Sequence, residues 1–158
     1  MKKRLIVGAF LGTIITEASV TAPFMAQMSY AGESNSAVMI NEVNSSPDDW
    51  VELINTGSSD VDLSGYEIRD NSDDHRWKFP TGTVIKAGGR YVADARDNGL
   101  IYSGNTYTEG TFETAIGIGS GDSIRLYDNN RVLLDQCSWE KHASYNGDTA
   151  LASIGRYP

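Results

Sequence analysis

The sequence has 158 residues, a formal net charge of -8 at pH 7 and 40% apolar residues. This length predicts a single domain, and the apolar content is that of a folded protein, which excludes a disordered chain. The excess of acidic residues argues against a nucleic-acid groove or an anionic membrane surface as the partner, because both attract clustered Lys and Arg.

Residues 1–31 have the pattern of a cleavable signal peptide. Three basic residues follow Met1, an apolar run extends from Leu5 to Ile15, and small residues precede a cleavage position after Ala31, with Ala18 as the alternative. The apolar run is shorter than the roughly 20 residues that cross a bilayer. We therefore predict a secreted protein, extracellular or periplasmic, without stable membrane insertion. Cleavage leaves 10 basic and 20 acidic side chains, a net charge of -10.

From residue 37 to residue 158, short apolar or alternating runs are separated by Gly, Asn, Asp and Pro, which predicts one all-β domain. Nine short strands suit two packed sheets, a β-sandwich. The predicted strands are Val38–Val43, Trp50–Asn55, Gly65–Arg69, His75–Phe79, Thr83–Ile85, Arg90–Asp94, Asp122–Tyr127, Val132–Trp139 and Leu151–Gly155.

Alternation within the runs predicts which side chains enter the core. His75, Trp77 and Phe79 alternate with Arg76 and Lys78, so the first three are expected to face inward. Ile124 and Leu126 are expected inward for the same reason.

The last long strand contains the single cysteine of the chain. Leu133, Cys137 and Trp139 share one side of this strand, interrupted only by Asp135. We therefore expect a buried, reduced thiol, with a disulfide to another chain as the less favoured alternative.

Two connecting segments are distinctive. Asp128–Arg131 predicts a tight hairpin, because its two central asparagines tolerate positive φ. Residues Ala95–Thr111 form a long predicted loop with three glycines, Tyr102 and Tyr107. Loops of this length are often functional, and an insertion that forms one extra hairpin is the alternative.

Six sequence blocks, taken in order, resemble the lamin tail domain in its bacterial exported form. The blocks are Val38–Val43, Asp49–Asn55, Val61–Tyr66, Phe79–Gly89, Gly121–Asp128 and Ser153–Pro158. The resemblance implies an immunoglobulin-like β-sandwich, in agreement with the strand pattern. It also implies an interaction module in nuclear lamins, and an accessory or stand-alone domain in bacterial secreted proteins, without a catalytic motif.

The densest acidic cluster contains Asp70, Asp73 and Asp74. Carboxylates at this spacing can bind Ca²⁺, and Asp48 and Asp49 are further candidate ligands if the fold brings them close. The glycine and glutamate that a helix–loop–helix calcium loop requires are missing, so a solvated turn is the favoured interpretation. We predict no cofactor, with Ca²⁺ as the alternative.

No catalytic constellation is evident in the sequence. Asp135, Ser138 and His142 are the nearest approach to a triad, but Asp135 and Ser138 project to opposite faces of an extended strand. Three tryptophans within strand runs are expected in the core rather than in a sugar-binding site. We therefore predict that the protein is not an enzyme.

These features predict a secreted, non-enzymatic module that binds a protein or a cell-surface polysaccharide through loops or a sheet edge. Tyr102 and Tyr107 are the predicted binding residues, with packing of both rings onto the sheet as the alternative. The negative charge predicts a monomer, and a partner that is basic or that offers an apolar, hydrogen-bonding surface. The alternatives are a structural subunit that assembles by edge pairing, or an enzyme with an unrecognised carboxylate site.

Overall fold

The computed structural model describes residues 29–30, 36–144, 147–148 and 152–156. These residues form thirteen β-strands and one short α-helix. The predicted signal peptide lies outside the described residues except for Ser29 and Tyr30, and it stays a prediction. The described part of the chain contains no helix long and apolar enough to cross a membrane.

The larger sheet has seven strands, and all neighbouring strands are antiparallel. In spatial order they are β1 (Ser29–Tyr30), β12 (Leu133–Trp139), β11 (Asp122–Tyr127), β5 (Glu67–Arg69), β6 (Arg76–Lys78), β9 (Asn98–Ser103) and β10 (Thr106–Thr111).

The smaller sheet has four antiparallel strands: β13 (Ile154–Gly155), β2 (Val38–Ser45), β3 (Asp49–Asn55) and β8 (Arg90–Asp94). A two-stranded ribbon joins β4 (Val61–Asp62) to β7 (Val84–Ile85), and a single helical turn, α1 (Phe112–Ala115), follows β10. The all-β, immunoglobulin-like sandwich that the sequence predicts is confirmed.

The core lies between the two sheets, where inward-facing side chains of alternating strands meet. Trp77 is fully buried, and its ring makes edge-to-face contacts with Phe79 at 4.7 Å and with Phe112 at 5.4 Å between centroids. Gly99 lies where a Cβ atom would come within 2.6 Å of the Trp77 ring, so only glycine lets β9 approach β6 this closely. Trp139 is also buried, whereas Trp50 is half-buried.

All nine predicted strands occur, with ends shifted by a few residues, but four strands were not predicted: β1, β4, β9 and β10. Of the two interpretations of residues 95–111, the irregular loop is wrong and the extra hairpin is confirmed, because β9 and β10 pair there. Its two-residue turn is Gly104-Asn105, with φ of 56° and 68°. Positive φ at both turn positions matches the twist of the flanking strands.

The predicted hairpin at Asp128–Arg131 is also present, but the positive φ of 65° falls on Arg131 rather than on an asparagine. The Asp128 carboxylate accepts the N–H groups of Asn130 and Val132, which fixes the loop so that Arg131 takes the left-handed position.

The burial of Cys137 is confirmed, but the expected orientation of its neighbours on β12 is partly wrong. Leu133 is exposed because the pairing of β11 with β12 shifts register between Leu126 and Tyr127. Asp135 faces inward with Cys137 and Trp139, and it is buried.

Candidate functional site

The outer face of the larger sheet carries an unusual set of side chains. Ile68, Trp77 and Ile124 point into the core, so the residues that alternate with them point outward. We call this surface the cation–tyrosine face; it consists of Arg125 and Tyr127 on β11, Glu67 and Arg69 on β5, Arg76 and Lys78 on β6, Tyr102 on β9 and Tyr107 on β10.

Five of these residues form a line across the strands, which we call the arginine–tyrosine row. Arg125 pairs with Arg69, and Arg69 pairs with Arg76, on three adjacent strands. The Arg76 guanidinium carbon then lies 4.1 Å from the centroid of the Tyr102 ring, and Tyr102 pairs with Tyr107. Adjacent strands are about 4.8 Å apart, and like charges placed directly opposite destabilise a sheet. Three arginines in register therefore require nearby negative charge.

Glu67 supplies part of that charge from the middle of the face. Its carboxylate accepts hydrogen bonds from Arg69 Nε at 3.2 Å and Nη2 at 3.0 Å, and from the Tyr107 hydroxyl at 2.7 Å. Lys78 Nζ lies 3.4 Å from the same carboxylate. The surrounding side chains cover Glu67 so fully that its side chain is 1% exposed.

The environment of Glu67 keeps it ionised. Burial alone would raise its pKa, but the hydrogen bonds from Tyr107 and Arg69, and the charges of Arg69 and Lys78, outweigh burial and lower the pKa below its ordinary value. Burial, followed by the hydrogen bond to Glu67, raises the pKa of Tyr107. The phenol therefore stays protonated and donates to the carboxylate.

Asp73 supplies the second counter-charge from the loop after β5. Its carboxylate lies 2.7 Å from Arg125 Nη1 and 3.6 Å from Arg69 Nη1, while its side chain remains 71% exposed. The hydrogen bond and the charge of Arg125 lower the pKa of Asp73. Arg125 also donates from Nε and Nη2 to the backbone carbonyl of Asp70, which holds its guanidinium in place.

Each of the three tyrosine rings on the face has a cation within 4.1 Å of its centroid. Arg69 lies 4.1 Å from the Tyr127 ring centroid, and Lys78 Nζ lies 3.8 Å from that of Tyr107. The two hairpin rings, Tyr102 and Tyr107, are 5.4 Å apart. Both tyrosines therefore pack onto the sheet, as the alternative interpretation expected, yet each stays partly accessible. Cation–π contacts of this kind contribute about 0.5–1 kcal/mol each at exposed sites.

The predicted metal ligands do not converge. Asp70 is buried; its carboxylate accepts the Ser72 N–H at 2.8 Å and the Gly117 N–H at 3.2 Å, and it contacts His75 Nδ1 at 2.8 Å. Asp73 contacts two arginines of the row, and the Asp74 side chain is exposed. Among the described residues no group of three or more His, Cys, Asp or Glu side chains is placed to hold a metal ion.

His75 is more than half exposed, contrary to the inward orientation expected from the alternation, because β6 begins only at Arg76. The further candidate Asp49 accepts the Ile118 N–H at 2.8 Å. Calcium binding stays a prediction.

Two of the three residues considered for catalysis, Asp135 and His142, have structural partners. Asp135 accepts the Ile40 N–H at 2.8 Å and bonds Arg156 Nη2 at 2.7 Å, whereas Ser138 lies exposed on the opposite face of β12. The expected separation of Asp135 from Ser138 is confirmed.

One contact was not found from the sequence. Ser45 Oγ lies 2.5 Å from His142 Nδ1, although the two residues are 97 positions apart. This hydrogen bond joins the end of β2 to the segment after β12. No sequence motif marks the pair, so single-sequence analysis could not identify it.

Comparison with protein families gives a match. A family model described as Lamin Tail Domain matches residues 31–141, which is more than half of the chain. No curated protein matches the sequence. The matched residues include every strand of the cation–tyrosine face, whereas β13 lies beyond them.

Proposed function

Because the chain belongs to the lamin tail domain family, we propose that it is a non-enzymatic interaction module that binds a protein or a polysaccharide through the cation–tyrosine face. The predicted signal peptide would place this partner outside the cytoplasm. Fold membership alone does not specify an activity, so the proposal rests on the chemistry of the face.

The observation that carries the proposal is the ordered pair of tyrosines beside three arginines. Tyrosine and arginine are enriched at binding surfaces, where one side of each group is apolar and the other forms hydrogen bonds. Here the Tyr107 hydroxyl is held by Glu67, and the Tyr102 hydroxyl donates to Asn105 Oδ1 at 2.8 Å. Side chains that are already fixed lose little entropy on binding.

Capture of envelope and medium components by the immobilised full-length protein tests this proposal. Tyr102→Ala removes one ring of the row while leaving the Glu67 hydrogen bonds intact, so we expect a stable fold that has lost its partner. Val92→Ala, exposed on the outer face of the smaller sheet, is the matched control. Equal capture by both variants would contradict the proposed surface.

Point variants are a cleaner test than deletion of the hairpin. A deletion of residues 98–108 would remove Gly99, which packs directly on Trp77, and Ile101, which packs against the core. Such a variant would lose stability whether or not the hairpin binds a partner.

A second candidate function is assembly by edge pairing, because β10 ends the larger sheet among the described strands. An unpaired edge offers N–H and C=O groups to a strand of another molecule. In a two-residue hairpin, only every second residue of β10 forms backbone hydrogen bonds with β9. Glu109 is one of the residues between them, so its N–H points away from β9. Sedimentation velocity should then show oligomers that Glu109→Pro abolishes; a monomer at all concentrations would reject this candidate.

A further inference from the structure

We propose that the partner of the cation–tyrosine face is an acidic polysaccharide, a chain that carries carboxylates on successive sugars and lies along the arginine–tyrosine row. This inference rests on the proposed function of the same face and specifies its ligand.

Basic side chains are concentrated on the cation–tyrosine face. Ten basic side chains follow residue 4, and four of them, Arg69, Arg76, Lys78 and Arg125, lie on this one face of an acidic protein. Exposed charges are screened over about 8 Å at physiological salt, so a bound chain responds to the local cations more than to the net charge. We expected a basic or apolar partner from the net charge of the whole chain. The cluster of cations on this face instead favours an acidic partner.

The row already binds a carboxylate of the protein itself. Asp73 reaches it from a loop, contacts Arg125 and Arg69, and remains largely exposed. An exposed carboxylate is readily exchanged for another one, because its ion pairs contribute little in water. Asp73 thus occupies the position that a carboxylate of the ligand would take.

The spacing of the row also fits a polysaccharide chain. The row runs across the strands, and its arginines repeat once per strand, about 4.8 Å apart. A polysaccharide with one carboxylate per sugar repeats its charges once per sugar ring, a comparable length. Tyr102 and Tyr107, at one end of the row, offer ring surfaces on which the apolar face of a sugar can stack.

The same geometry disfavours other anionic polymers. An acidic peptide gains most from backbone hydrogen bonds at a sheet edge, which a row of side chains on a sheet face does not supply. A single-stranded nucleic acid requires aromatic side chains for successive bases, whereas the aromatic rings of this row are confined to one end.

The test is calorimetric titration of the full-length protein with polygalacturonate, and with the same polymer after methyl esterification. We expect binding to polygalacturonate that weakens with salt, and no binding to the esterified polymer. Arg76→Gln should weaken binding about tenfold, the effect of losing one hydrogen bond to a charged group. Lys86→Gln, which removes an exposed charge directly after β7, should leave the binding affinity unchanged. Asp73→Asn should tighten binding.

Several results would overturn the inference. Equal binding of both polymers, equal loss in Arg76→Gln and Lys86→Gln, or tighter binding of poly-glutamate or single-stranded DNA would each contradict it. Melting curves of all variants, and Tyr102→Ala as a second variant of the row, exclude misfolding as the cause of lost binding. Envelope capture that depends on Tyr102 without polygalacturonate binding would reject the ligand and retain the proposed function.

Discussion

Substituting Glu67 by Gln tests how the cation–tyrosine face is held together. Breaking a buried ion pair by removing one partner typically costs about 3–5 kcal/mol, because the other charge stays buried. Arg69 is only 9% exposed, but Lys78 is 22% exposed, and glutamine retains one acceptor oxygen. We therefore expect a loss at the lower end, about 3 kcal/mol, which is a large part of a typical domain's stability.

Urea unfolding at pH 7 measures this loss. With a slope of about 1.5 kcal/mol per molar urea, the midpoint should fall by about 2 M. Glu109→Gln is the matched control, since Glu109 is exposed on the same sheet, and it should stay within about 0.5 kcal/mol of the wild type. A loss below about 1 kcal/mol for Glu67→Gln would refute the account of this network.

The pH dependence provides a second check. The pKa of Glu67 in the folded protein lies below its ordinary value, so the stabilisation by its carboxylate is fully present above the ordinary pKa and is lost as pH falls through the folded pKa. The stability difference between wild type and Glu67→Gln should therefore be constant near neutrality and shrink in acid, where the wild-type carboxyl becomes neutral. A difference that does not change in acid would contradict the assignment.

Three further predictions concern other parts of the molecule. Arg131→Gly should stabilise the protein by about 0.5–1 kcal/mol in a melting curve, because a non-glycine residue at φ of 65° is strained; unchanged or lower stability would be against this. Burial raises the pKa of Cys137 to about 12, so a thiol reagent at pH 8 should react far more slowly with the native protein than in denaturant; rapid native labelling would contradict its burial. Calcium should raise the melting temperature only slightly relative to chelator, because Asp70 already accepts two backbone N–H groups; a site filled at 100 times its dissociation constant would add about 2.7 kcal/mol.

The sandwich was predictable because its strands follow simple rules. Alternation placed Trp77, Phe79, Ile124 and Leu126 in the core, and all four are buried. The β9–β10 hairpin was only an alternative because β10 reads Thr-Tyr-Thr-Glu-Gly-Thr and lacks the apolar alternation of a strand, although Gly-Asn is a hairpin turn.

The site was only half predictable. Tyr102 and Tyr107 were singled out by residue type, but their cationic partners come from a strand up to 29 positions earlier in the chain, and register cannot be read from one sequence. The sequence did contain a pattern that marks this face. Arg76 and Lys78 lie on either side of the core residue Trp77, and Glu67 and Arg69 lie on either side of Ile68. Outward positions occupied only by charged residues indicate a charged sheet face.

Asp135 shows a different limit of sequence analysis. Its position on the core side of β12 looked like an interruption of the apolar pattern. The structure instead pairs it with Arg156, whose Nε also donates to the Ile40 carbonyl, so a buried carboxylate ties β12 to β2 and to the segment after β13. A buried charge is tolerated when its partner and hydrogen bonds are supplied, and that partner lies 21 residues away.

Site-specific photo-crosslinking tests most directly whether the cation–tyrosine face contacts the partner. A photoreactive residue in place of Glu109, beside Tyr107 on the outer side of β10, is compared with one in place of Val92, which is exposed on the outer face of the smaller sheet. After irradiation with envelope and medium components, we expect covalent adducts from position 109 and none from position 92. Adducts from position 92 alone would place the binding surface on the other sheet.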